Sequence, residues 1–155
     1  MKRNNMLLAG LLAGAMSVST SAIAQDHVGN ASAARASKVE VRKSGVGKIL
    51  TTSSGQTLYR FTRDPRNKDT CVAISGCAKV WPPLTTSAHA SAGSGARASL
   101  LSTIRLASGA RQVTYAGHPL YLYAESAEPL STYYIGATQF GGTWWAVSAA
   151  GGVVK

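Results

Sequence analysis

Acids are scarce in this chain: six Asp and Glu stand against sixteen Lys and Arg in 155 residues, for a formal net charge of +10. Methionine is absent after Met16, which leaves the rest of the chain without the thioether ligand used by blue-copper sites and many c-type haems. There are only two cysteines, Cys71 and Cys77, and no C-x-x-C or C-x-x-C-H, so neither a dithiol redox motif nor covalent haem is expected. No G-x-S-x-G or H-E-x-x-H occurs, and no apolar run reaches the roughly 20 residues that span a bilayer. These absences argue against catalysis and against any cofactor or metal, because general acid–base work needs a second carboxyl, a histidine or a metal shell beside the first.

What is present begins with Met1-Lys2-Arg3, an apolar run from Met6 to about Met16, and small residues up to Ala22-Ile23-Ala24. That layout is a signal peptide over residues 1–24, predicting cleavage after Ala24 and a periplasmic or secreted product with no membrane anchor. In an oxidising compartment, Cys71 and Cys77 are expected to form a structural disulfide.

Residues 25–37 are small and polar and read as a flexible lead; 85–98 (TTSAHASAGSGARA) reads as an Ala/Ser/Gly-rich loop. Elsewhere, short runs rich in Val, Ile, Thr and Tyr are punctuated by glycine, and no amphipathic helix stands out. The pattern predicts one all-β domain over 38–155.

Gly55–Asp64 (GQTLYRFTRD) aligns with Gly117–Ser126 (GHPLYLYAES), and each is preceded by two strand-like runs around a Ser-Gly turn. The expectation is two pseudo-symmetric three-stranded meanders, about 38–84 and 99–150, packed as a small sandwich or barrel-like domain, since one meander alone buries too little to be stable. Tyr59, Phe61 and Asp64, with Lys79–Leu84 (KVWPPL), Tyr121 and Tyr123, and Gly141–Trp145 (GGTWW), resemble bacterial secreted and lipoprotein repeats marked by a Y-x-[FWY]-x-x-D motif. The resemblance implies export and a family without an assigned reaction. Ser126 stands where the second copy of the motif would have Asp.

Strand alternation puts Tyr59 with Phe61, and Tyr121 with Tyr123, on common faces, read as two equivalent core stripes rather than a ligand platform. Asp64, before Pro65, reads as a turn former. Arg60, Arg63, Arg66 and Lys68 form a basic segment, with Arg60 directed to solvent; an anionic envelope component or a protein fits it, and no nucleic-acid-binding signature accompanies it. Trp81 beside Pro82-Pro83 at an extended edge, and Trp144-Trp145, are candidate partner contacts; adjacent strand residues face opposite ways, so one of Trp144 and Trp145 can fill the core while the other is at least partly exposed. The leading function is therefore a non-enzymatic exported envelope protein binding an anionic or aromatic partner. The alternatives are a hydrolase using Asp64 with Glu125 or His118, and an accessory structural domain of periplasmic redox or stress systems.

Overall fold

A computed structural model describes residues 37–126 and 128–155. The expected leader, its cleavage point and residues 25–36 of the lead lie outside them. The strands in chain order are β1 (Lys38–Ser44), β2 (Gly47–Thr52), β3 (Tyr59–Phe61), β4 (Thr85–Thr86), β5 (Ser91–Ala92), β6 (Leu101–Arg105), β7 (Arg111–Tyr115), β8 (His118–Pro119), β9 (Ala137–Gln139), β10 (Gly142–Val147) and β11 (Val153–Val154). The described α-helix is a single turn, α1 (Cys77–Val80). The fold is all-β, as the alternation of apolar residues predicts.

β1 and β2 form a hairpin, and β5 pairs with β1. β10 is flanked by β3, β9 and β11. β6, β7 and β8 run as a meander with β4 on β7. Ala116 and Gly117 join β7 to β8 with φ of 50° and 77°. Positive φ at both central residues suits a two-residue hairpin loop, because its twist matches that of the strands.

Two buried clusters divide the core. Leu58, Leu84, Leu120 and Val147 belong to an aliphatic one with Val39, Leu50, Val113 and Tyr115. Tyr59, Phe61, Trp81, Tyr121 and Trp144 belong to an aromatic one with Cys71 and Cys77. The division follows from strand parity. Adjacent residues in an extended chain face opposite ways, so each Leu-Tyr pair sends the leucine to one cluster and the tyrosine to the other. Residues three apart also have opposite parity, and Trp81/Leu84 and Trp144/Val147 divide in the same manner. Both faces of these strands are covered.

The backbone bonds around the two Leu-Tyr segments match one another. Leu58 N–H donates to Leu50 and Leu120 N–H to Val113. Val147 N–H donates to Leu58 and Leu84 N–H to Leu120. Thr62 N–H donates to Thr143 and Ala124 N–H to Val80. The Trp81 segment thus lies beside the second Leu-Tyr segment, and the Trp144 segment beside the first.

The 85–98 stretch differs from the plain loop expected. Besides β4 it contains β5, whose Ser91 and Ala92 pair in parallel with Lys38 and Val39, and Gly93 N–H donates to Val39 while Val41 N–H donates to Ser94. Small side chains allow this close approach, and the exposed edge of β1 supplies partners that composition does not reveal.

Candidate functional site

Phe61 ends β3, and the chain turns at once, with Asp64 N–H donating to the Phe61 carbonyl. Asp64 is only 8% exposed. Its Oδ1 accepts from the Thr70 N–H (2.8 Å) and hydroxyl (2.7 Å), and its Oδ2 accepts from the Tyr121 hydroxyl at 2.6 Å. Burial raises the carboxyl above the ordinary aspartate range, against the bonds from Tyr121 and Thr70. Burial and the neighbouring Asp64 carboxylate raise the Tyr121 phenol as well. Asp64 is therefore more than the local turn former expected: it closes the 64–70 loop and ties it to the second Leu-Tyr segment. Both of its oxygens are engaged.

The hydrolase pairing gains nothing from this placement. Glu125 lines a shallow cavity of about 330 Å³ with Ser126, Glu128, Ser131, Tyr133 and Tyr134, to which neither Asp64 nor His118 contributes. The charged neighbours that perturb His118 are Arg60 and Arg66. Among the described residues, no three His, Cys, Asp or Glu side chains are grouped to hold a metal.

The aromatic cluster is built inward. Trp81 and Trp144 stack with ring centroids 4.1 Å apart and planes 2° apart. Phe61 stacks on Trp144 at 4.1 Å. Tyr59 lies edge-on to Trp81 and Tyr121 edge-on to Trp144. Trp81 also donates through Nε1 to Gln139 Oε1 at 2.7 Å. Both tryptophans are fully buried, which takes Trp81 out of its expected place as a partner contact and makes Trp144 the member of the adjacent pair that fills the core. Pro82 and Pro83 do sit in extended backbone, but the ring of Trp81 turns away from that edge into the core. Trp145 is half-buried, packed against Gly136, with the Lys155 ammonium 5.8 Å from its ring centroid. Tyr123 is also half-buried, not equivalent to Phe61, and stacks on Tyr134 at 3.5 Å. Tyr59 donates its hydroxyl to the Ser131 carbonyl at 3.2 Å, where Ser126 provides no carboxylate. The disulfide between Cys71 and Cys77, with Cα atoms 5.3 Å apart, lines the same cluster.

The basic segment is held in varied ways. Arg63 donates to the Phe140 carbonyl at 2.9 Å. Arg66 and Lys68 are exposed. Arg60 is half-buried rather than directed to solvent, and its Nη1 lies 3.5 Å from the Gly151 carbonyl. The reason is that the face opposite Tyr59 and Phe61 is itself covered. Both ion pairs among the described residues go to Glu40, from Lys38 and Arg42. The segment therefore has no carboxylate within ion-pair distance there.

His118 joins this group, an association that sequence spacing alone does not show. Asn67 N–H donates to the Gly117 carbonyl at 2.7 Å, which docks the 64–70 loop against the β7–β8 turn. A Cβ at position 117 would lie 2.8 Å from Arg66 Nη2, so glycine there makes room for the guanidinium.

Residues 40–85 match the model of a protein family described as a secreted repeat of unknown function. Neither the curated proteins nor the solved structures contain a match to the chain.

Proposed function

From the likeness of residues 40–85 to secreted repeats, we propose that the chain is a non-enzymatic binding domain exported to the cell envelope, with an anionic partner. Export follows the signal-peptide layout of residues 1–24, with cleavage after Ala24 and a periplasmic or secreted product. The domain is two repeats, and the matched bonds around Leu58-Tyr59 and Leu120-Tyr121 support that reading.

The observation that carries the binding role is the contrast between the two kinds of conspicuous residue. Tyr59, Phe61, Trp81, Tyr121, Trp144 and Asp64 are taken up by the fold. Arg60, Arg63, Arg66 and Lys68 have no acid among the described residues within ion-pair reach. An array of cations with no acid in such reach raises the local concentration of anions and speeds their association, in a salt-dependent way. Trp145 lies outside the fully buried core and is the remaining aromatic contact of the original Trp set.

Heparin affinity chromatography of the chain from Gln25 tests this. The Arg66→Glu/Lys68→Glu variant is expected to elute at much lower salt than the parent. Lys43→Glu/Lys48→Glu, of identical net charge on the β1–β2 hairpin, should elute well above it. Equal elution of the two double variants would reduce the effect to net charge and defeat the proposal.

A further inference from the structure

We propose that Arg60, Arg66 and His118 form a binding site for a phosphate oxyanion, either free or as the terminal group of a phosphomonoester. The inference rests on the anionic-partner reading above and narrows it to one site.

Three elements meet there. Arg60 comes from β3, Arg66 from the 64–70 loop and His118 from β8. The loop is fixed at both ends of this approach: Asp64 is bonded to Tyr121 and Thr70, and Asn67 N–H to the Gly117 carbonyl. Gly117 leaves the space in which the Arg66 guanidinium lies. The backbone that carries these cations is thus tethered at Asp64 and Asn67, and such preorganisation lowers the ordering cost of binding.

Arg60 Nε and His118 Nδ1 are buried without a hydrogen-bond partner. They are among several buried side-chain atoms without a protein partner, Trp144 Nε1 in the aromatic core being another, and are set apart by lying on two of the three cationic side chains gathered here. The charged groups facing His118 are Arg60 and Arg66, while Asp64, near Arg60, is engaged by Tyr121 and Thr70. Tyr115 is the residue opposite His118 on β7. Phosphate fits this arrangement better than carboxylate: both pair bidentately with guanidinium, but phosphate offers at least three oxygens to the three donor groups.

Burial, then Arg60 and Arg66, lower the pKa of His118 below the ordinary histidine value. A bound dianion reverses the last two influences, so binding takes up a proton and tightens as pH falls through the histidine range. Sulfate isolates this linkage, since it remains a dianion throughout, whereas phosphate itself titrates near pH 6–7.

The test is NMR titration of the 25–155 chain with inorganic phosphate, sulfate and acetate, following backbone amides and the histidine ring. Saturable shifts should centre on residues 60, 66 and 116–118, with acetate at least tenfold weaker. Saturating sulfate should raise the His118 pKa by on the order of one unit. Arg66→Gln should weaken phosphate binding at least tenfold, and Lys48→Gln, exposed on β2, should change it less than twofold, each with native amide dispersion. His118→Gln should abolish the pH dependence of sulfate binding. A parallel arm with phosphatidylcholine vesicles, with and without phosphatidic acid, separates sources: binding only to the acidic vesicles assigns the phosphate to a lipid headgroup. Saturable shifts centred elsewhere would overturn this site and leave the anionic-partner reading standing. No saturable response to phosphate or to acidic vesicles, in a protein that still needs Arg66 and Lys68 for heparin, would overturn the site alone.

Discussion

Tyr59 and Tyr121 exchange backbone hydrogen bonds, 3.0 Å from Tyr59 N–H to the Tyr121 carbonyl and 2.9 Å in return. Each tyrosine ring then lies edge-on to a different member of the Trp81–Trp144 stack. The centre of the aromatic cluster is thus made jointly by segments about sixty residues apart. Damage to either segment should be felt by the whole domain.

Phe61→Ala removes a ring that is 1% exposed and stacked on Trp144, and is expected to cost about 3–5 kcal/mol. Tyr123→Ala removes a half-buried ring and should cost clearly less. Tyr121→Phe leaves Asp64 Oδ2 without its buried donor, at about 1–3 kcal/mol. Urea unfolding of the three variants beside the parent gives the order directly, and a Tyr123→Ala loss equal to that of Phe61→Ala would contradict the asymmetry described.

Acid titration reads the environment of Asp64. Because burial raises its carboxyl, the folded protein holds that proton more tightly than the unfolded chain does. The resulting stabilisation is complete below the unfolded value, 3.8, and is lost as pH rises through the higher folded value. The stability gap between the parent and Asp64→Asn should therefore widen as pH is lowered from 7 toward 4. Narrowing of that gap would mean that the hydrogen bonds from Tyr121 and Thr70 outweigh desolvation.

Intact-mass analysis of protein recovered from the producing cell's envelope should find a chain beginning at Gln25, free of lipid and two hydrogens lighter than its reduced form. Cys71 and Cys77 are both fully buried in the aromatic cluster. Reduction should lower stability by about 2 kcal/mol, as for a short closed loop. Free thiols in freshly isolated native protein would contradict the disulfide.

Much of this architecture was legible in the chain. The alternation in Val39–Arg42 and Gln112–Tyr115 marks strands, and the Cys71–Cys77 spacing marks a short closed loop. The recurrence of Gly-x-x-Leu-Tyr marks the two segments that meet at the centre. Parity, however, says only which way a side chain points, not whether that face is covered. Arg60 does point opposite Tyr59 and Phe61, yet Leu58 on the same parity is fully buried, so the arginine enters a packed face. The Pro-Pro edge was similarly legible, while the turn of Trp81 into the core depends on its stacking with Trp144, sixty-three positions away in the sequence. The Asp64–Tyr121 bond and the approach of Arg66 to Gly117 depend on tertiary docking, for which neither local motif carries a signal. His118 therefore stood apart from the basic segment until the two turns were placed together.

Hydrogen–deuterium exchange of the 25–155 chain, with and without a heparin octasaccharide, locates the working surface most directly. The account predicts added protection in residues 60–68 and 116–118, with little change in the amides of 123–134, which include the highly exposed Tyr133 and border the acidic cavity. Protection confined to 123–134, or none in the basic segment at a salt concentration where the complex persists, would contradict it.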